Sequence, residues 1–173
     1  MPDDDYVVDA LDHQHPTASI GTPWELVEDG VMGGMSSGTL TRGIVRGREC
    51  WRLQGEVSLE NNGGFLQTAL DLVPGSGTFD ACTWTGVEID VLGNGEPYNC
   101  HLRTADVCRP WQSYRATFVA DPDWKTVWLP FSAFEAHRID APLDRSRLRR
   151  LGIVAIGRAF TVDIAVADIR FRA

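Results

Sequence analysis

Apolar and polar residues alternate in short runs along most of this chain, and a period of two marks strands with one buried face. The clearest run sets Val87, Ile89 and Val91 against Glu88 and Asp90. Residues 39–45 and 49–53 read as a hairpin turning at Arg46-Gly47-Arg48, and 54–59 as a strand leading onward. Leu66, Thr68, Leu70 and Leu72 share one phase, with Gln67, Ala69 and Asp71 on the other. After Gly93-Asn94-Gly95, which has hairpin-turn chemistry, a return strand sets Tyr98, Cys100 and Leu102 against Asn99, His101 and Arg103. Tyr114, Ala116 and Phe118 then alternate with Arg115 and Thr117, and a strand over 124–129 stops at Pro130. Near the end, Phe160, Val162, Ile164 and Val166 hold one phase and Ala167, Ile169 and Phe171 the opposite one. A slip of one residue inside a strand predicts a bulge or tight bend.

Helical signals are few. Ser132-Ala133-Phe134-Glu135 has capping-box spacing, and residues 144–150 place Leu148 and Leu151 on one side of a short turn. Residues 1–22 are acidic, interrupted by Pro16 and aperiodic beyond one strand around Tyr6-Val7-Val8, so they read as a loosely attached arm. The expectation is an all-β chain with one or two helical turns: a β-sandwich or jelly roll of roughly ten strands over 23–173.

Two glycine elements punctuate this pattern. Asp29-Gly30-Val31-Met32-Gly33-Gly34-Met35-Ser36 sets three glycines between a short acid and a short hydroxyl, and Asn61-Asn62-Gly63-Gly64-Phe65 repeats the theme.

Composition narrows the possible partners. A net charge of −8 disfavours nucleic acid and anionic membrane surfaces, which call for a basic face. Lys125 is the sole lysine, so nearly all positive charge is arginine. No apolar run approaches the ~20 residues of a membrane span. The acidic start lacks signal-peptide regions, from which a cytoplasmic location and reduced thiols are expected. The four cysteines follow no paired zinc spacing; Cys100-His101 with Cys108 is the one cluster to test.

Several motifs together carry a resemblance. Trp24-x-x-Val27-x-Asp29-x-Val31-Met32-Gly33-Gly34-x-Ser36 is followed by Asn61-Asn62-Gly63-Gly64-Phe65, Gly93-Asn94-Gly95-x-x-Tyr98 and Tyr114-x-Ala116-x-Phe118. Trp124-x-x-Val127-x-Leu129-Pro130-Phe131-x-x-Phe134 and Phe160-x-Val162-x-Ile164 close the series. In this order, from Trp24 onward, they resemble the complex I intermediate-associated protein 30 family. The resemblance implies a galactose-binding-like jelly roll, similar to many carbohydrate-binding modules. It also implies an assembly-factor or binding role: mitochondrial members assist assembly of respiratory complex I, and plant and cyanobacterial relatives pair the domain with a dehydrogenase-like one. Many bacterial members are stand-alone domains, and the acidic start is read as a departure from the mitochondrial pattern, with no transit peptide expected.

Candidate ligand-binding residues fall into three groups. Asp29, Gly33, Gly34 and Ser36 either form a concave nest for an anion or sugar or satisfy only their own loop. Asn61 and Asn62 either offer amides to sugar hydroxyls or serve a turn, beside a Phe65 expected in the core. If their strands are neighbours, Glu88, Asp90, Asn99, His101, Arg103, Arg115 and Thr117 form one polar face rimmed by Trp111. Such a face suits a sugar or polar ligand, or else is a row of solvated ion pairs. The readings that follow are a non-catalytic domain engaging a protein partner or polar small molecule, a sugar-binding module, or an enzyme pairing His101 with Glu88 or Asp90. No P-loop, Gly-x-Ser-x-Gly or His-Glu-x-x-His motif occurs, and no cofactor is expected. Metal readings rest on His13 and His15, and on Asp163 and Asp168 joining acids of the arm.

Overall fold

A computed structural model describes residues 5–29, 35–60 and 64–173. The alternation becomes β1 (Tyr6–Asp9), β2 (Glu25–Glu28), β3 (Ser37–Val45), β4 (Arg48–Val57), β5 (Phe65–Asp71) and β6 (Gly86–Gly93). It continues as β7 (Pro97–Thr104), β8 (Ser113–Val119), β9 (Lys125–Pro130), β10 (Glu135–His137), β11 (Leu148–Ile156) and β12 (Phe160–Arg172). Two six-stranded antiparallel sheets pack face to face: the first in order β3-β4-β12-β6-β9 with β1 also on β12, the second β10-β8-β7-β11-β5-β2. The inner faces supply one core, in which Leu53, Leu66, Leu70, Ile89, Leu102, Leu151, Ile153 and Phe171 are fully enclosed. This is the jelly-roll sandwich that the alternation and the turn spacing imply. Among the described residues no helix is long and apolar enough to cross a membrane.

The phase slip in the last strand is a bulge. The register of β12 on β6 shifts between Val166 and Asp168, which lets both apolar phases stay inward. The hairpin at Arg46-Gly47 is also present, with Val45 opposite Arg48 and positive φ at both turn residues.

Four expectations change. Gly93-Asn94-Gly95 is not a hairpin: β6 lies in the first sheet and β7 in the second, so the chain arches across the core. The corner is pinned by Gly93 N–H on Asp121 O and by Tyr98, whose hydroxyl donates to Asn94 and accepts from Asp163 N–H. A Cβ at Gly93 would lie 2.5 Å from Ala120 Cβ, so the arch needs a residue without one.

The capping box at Ser132 gives only a 3-10 turn, Phe131–Ala133, that starts directly after Pro130 and has no side-chain cap; Glu135 then opens β10. Asp144 caps a 3-10 turn at Arg145–Arg147 through Ser146 N–H, but residues 148–150 belong to the strand β11. Finally, residues 5–22 of the expected arm lie against the sandwich instead of hanging loose. Val8 and Ala18 are fully buried, and Asp9 accepts from the Trp24 indole at 2.7 Å. Ordering that many residues is entropically unfavourable, and the burial of Val8, Ala18 and Trp24 offsets it.

Candidate ligand-binding groove

Antiparallel register puts directly opposed residues on one face of a sheet. Across the outer face of the second sheet, one row runs Glu135, Arg115, His101, Gly152, Ala69 and Glu25 from β10 to β2. A second row joins Thr117, Asn99, Val154, Gln67 and Val27. Arg103, Arg150 and Asp71 are aligned on the other side of His101 and Gly152. The floor is lowest where the side chains are smallest, at Gly152 and Ala69. Around it the sheet and the loop between β7 and β8 enclose a groove of about 870 Å³. That volume lies within the range of small-molecule sites.

The rim is built, not incidental. Gln112 accepts from Cys108 N–H at 3.0 Å and Arg109 N–H at 3.1 Å, and donates to Arg138 O at 3.1 Å. This ties the β7–β8 loop to the end of β10 and holds Trp111 at the groove's edge, 51% exposed. At the other end Phe65 lines the groove beside Val27 and Ile156, a correction to its expected place in the core. It faces outward because β5 directs Leu66, Thr68 and Leu70 inward.

His101 sits at the centre. It is 9% exposed, and its Nε2 is buried with no hydrogen-bond partner. Burial, and then the charges of Arg115, His137 and Arg103, push its pKa down to about 3, so the ring is neutral at ordinary pH. A buried polar atom without a partner costs free energy that a ligand's hydroxyl or amide would recover. Arg103 donates to Arg109 O at 3.1 Å, and Arg115 to Ser113 Oγ at 2.9 Å. Arg150 is held by Asp71 at 2.8 Å and Glu25 at 3.3 Å.

Glu88 and Asp90 do not belong to this face. Because β6 lies in the other sheet, they point outward on the far side of the sandwich, which corrects the shared polar face. There Arg170 donates to Glu88 at 2.9 Å, Arg172 to Glu88 at 3.0 Å, Arg48 to Asp90 at 3.1 Å, and Thr126 to Asp90 at 2.7 Å. Both acids are nine-tenths buried or more within an ion-paired ladder, and neither reaches His101, so the expected acid–base pair does not form. Asn99 and Thr117 do share the groove face and bond to each other at 2.7 Å.

Asp29 and Ser36 serve the fold. The Asp29 carboxylate is fully buried and accepts from Ser36 N–H, Ser36 Oγ, Gly64 N–H and Phe65 N–H at 2.9, 2.5, 2.6 and 3.2 Å. Burial raises its pKa, but these bonds outweigh that and hold it below the usual carboxylate value. It thereby joins the two glycine elements at one end of the sandwich. Gly33, Gly34, Asn61 and Asn62 lie outside the described residues.

The metal candidates dissolve into other contacts. Asp163 is bidentate to Arg52, Asp168 pairs with Arg170, and Cys100 points into the core while its neighbour His101 points out. Among the described residues no group of three or more metal-ligating side chains converges.

The sequence signals for His101, Arg103, Arg115 and Trp111 are readable. Those for Gln67, Gly152, Arg138, His137, Arg149 and Arg150 are not, because these residues become neighbours only through strand order. A bulge between Leu148 and Arg150 lets the consecutive residues Arg149 and Arg150 both line the groove.

A jelly-roll β-sandwich with a ligand-sized groove across the outer face of one sheet defines the class of fold. The chain belongs to the complex I intermediate-associated protein 30 family, whose profile matches residues 12–165. Comparison with curated proteins returned no match. Among solved structures, the family 11 carbohydrate-binding module of the Clostridium thermocellum cellulosomal cellulase Lic26A-Cel5E superimposes with a TM-score of 0.76 at 12% identity. That match covers 98% of this chain and 95% of the module. The Clostridium thermocellum family 11 module in complex with a β-1,3-1,4-mixed-linked tetrasaccharide gives 0.71 at 13% identity, covering 98% and 95%. A family 30 carbohydrate-binding module gives 0.68 at 16% identity, covering 99% and 90%. At these identities the likeness is one of fold.

Proposed function

We propose that this protein is a non-catalytic binding domain that takes a saccharide in the groove of its second sheet. The observation that carries the reading is the unpartnered, buried Nε2 of His101 at the centre of the groove. Around it stand the partners a sugar requires: the Trp111 plane for stacking, and Gln67, Asn99 and the arginines for hydroxyls. The related fold of a module solved with a mixed-linked tetrasaccharide supports the same choice. Family membership favours a second reading, docking of a protein partner. Against it, the exposed large apolar residues are spread out: Ile44 and Trp128 on opposite edge strands of the first sheet, Val7 on β1, Val119 at the end of β8, Trp111 on the groove rim, and Met35 and Leu59 beside the Ser36–Ser58 contact.

The test is calorimetric titration with a panel of neutral and charged oligosaccharides, repeated with Gly152→Leu. A Cβ at Gly152 meets Gln67 Oε1 at 3.1 Å, which can swing away, Ala69 Cβ at 3.3 Å, which moves only with its strand, and Thr68 O at 3.5 Å, so a thermal melt of the variant accompanies the titration to establish that it is folded. Binding by the parent protein and at least tenfold weaker binding by Gly152→Leu are expected. Binding unchanged by Gly152→Leu, or no saccharide bound at all, would contradict the reading.

A further inference from the structure

The arginines of this acidic chain divide by location. On the first sheet and its loops they meet carboxylates: Arg42 with Glu49, Arg46 with Asp123, Arg48 with Asp90, Arg52 with Asp163, Arg170 and Arg172 with Glu88. Around the groove, Arg103, Arg115, Arg138 and Arg149 have no carboxylate within ion-pair distance among the described residues. With net charge −8, acids are plentiful, and yet among the described residues Asp71, already engaged by Arg150, is the one carboxylate lining the groove. Glu25, also on Arg150, and Glu135, opposite Arg115 in register but in no ion pair with it, stand at the ends of the row.

The local fields follow the same division. Arg103 is held below the usual arginine value by burial and then by Arg150 and Arg149; Arg115 likewise by burial and then Arg138. His137 is lowered by burial and then by Arg115 and Arg138. In each case the neighbours repel. Half-buried guanidinium groups that repel one another cost stability unless something anionic joins them, and a concave, partly dry wall concentrates their field.

We infer that the groove selects an anionic sugar chain, one bearing carboxylate or sulfate oxyanions, with its charged group seated on the Arg103, Arg115 and Arg138 side of His101. This rests on the saccharide reading of the groove and names its ligand class. A guanidinium offers a planar fork that matches an oxyanion in two parallel bonds, where a neutral hydroxyl uses only one. Arg103 and Arg115 each use one N–H on the protein and keep the rest of their donors for the ligand. His101, neutral beside them, adds a hydrogen-bonding atom without adding charge.

The experiment compares four probes of the same protein by titration at low ionic strength: an oligogalacturonate, a sulfated oligosaccharide, a neutral mixed-linked glucan oligosaccharide of equal length, and inorganic sulfate. Each is repeated with the double variant Arg103→Gln/Arg115→Gln and with added salt. Charged oligosaccharides are expected to bind at least tenfold more tightly than the neutral one, and which of the two wins identifies the oxyanion. The double variant should lose that preference, the charged chains weakening at least tenfold more than the neutral one, and salt should weaken only charged-chain binding. Equal or tighter binding of the neutral chain overturns the anion selectivity and leaves the saccharide groove standing. Inorganic sulfate binding as tightly as the charged chains overturns the sugar. Failure of every oligosaccharide overturns both.

Discussion

Replacing Asp29 with alanine is expected to destabilise the protein by about 3–5 kcal/mol, the largest effect of any single surface-distant polar change here. The carboxylate is fully buried and takes four hydrogen bonds, three of them from backbone N–H groups of two separate loops. Hydrogen bonds to an ionised acceptor are roughly twice as strong as neutral ones, and alanine leaves the donors of Ser36, Gly64 and Phe65 buried without partners. Asp29→Asn should fall between, because its amide nitrogen opposes donors on one side while its oxygen serves the other. Ser36→Ala should cost about 1–2 kcal/mol, since the Ser36 hydroxyl also accepts from Ser58 N–H at 2.9 Å. Urea denaturation curves give these values directly. A loss below about 1 kcal/mol for Asp29→Ala would show that the two glycine elements do not depend on this carboxylate.

The second large effect is acid sensitivity controlled by His101. Its folded pKa of about 3 lies below the 6.5 of an exposed histidine, so the unfolded chain takes up the proton first as pH falls. The stability contributed by the neutral buried ring is therefore complete above pH 6.5 and is lost progressively as pH drops toward 3. Each pH unit of that window corresponds to about 1.4 kcal/mol, so the whole of it amounts to roughly 5 kcal/mol. About half should disappear between neutral pH and the onset of carboxylate titration. The groups that face the ring are Arg115, His137 and Arg103, all of which disfavour its protonation; none supplies a counter-charge. His101→Gln removes the titration and keeps a polar side chain. Its stability should vary less with pH between 6.5 and 4.5 than that of the parent protein. Parallel pH profiles for the two proteins would contradict the assigned environment of His101.

Much of this architecture is legible in the chain. The alternation around Val87, Tyr98 and Tyr114 determines which residues face the core, and the phase slip before Ala167 marks the bulge on β12. Strand order is not legible, because an inward phase is the same whether β6 and β7 form a hairpin in one sheet or an arch between two. Glu88 and His101 therefore share an expected face and yet lie on opposite sides of the molecule. β11 is hidden for a different reason. Gly152 interrupts its pattern, and the bulge at Arg149 breaks its period just where Asp144 offers a genuine cap. The floor of the groove has no chemical signature of its own, since glycine and alanine define it by what they lack. The candidates that the structure does gather, His101, Arg103, Arg115 and Trp111, come from adjacent strands and the loop between them. The partners that complete the groove come from β5, β10 and β11 and meet them only through the order of the sheet.

The most direct test of the central claim is a two-dimensional NMR titration of the labelled protein with an oligosaccharide, either charged or neutral. Binding in the groove is expected to move the amide signals of His101, Arg103, Gly152 and Val154 and the indole signal of Trp111, while those of Glu88, Asp90 and Trp128 on the other sheet stay fixed. Saturable shifts confined to the first sheet, with the groove signals unmoved, would contradict the account.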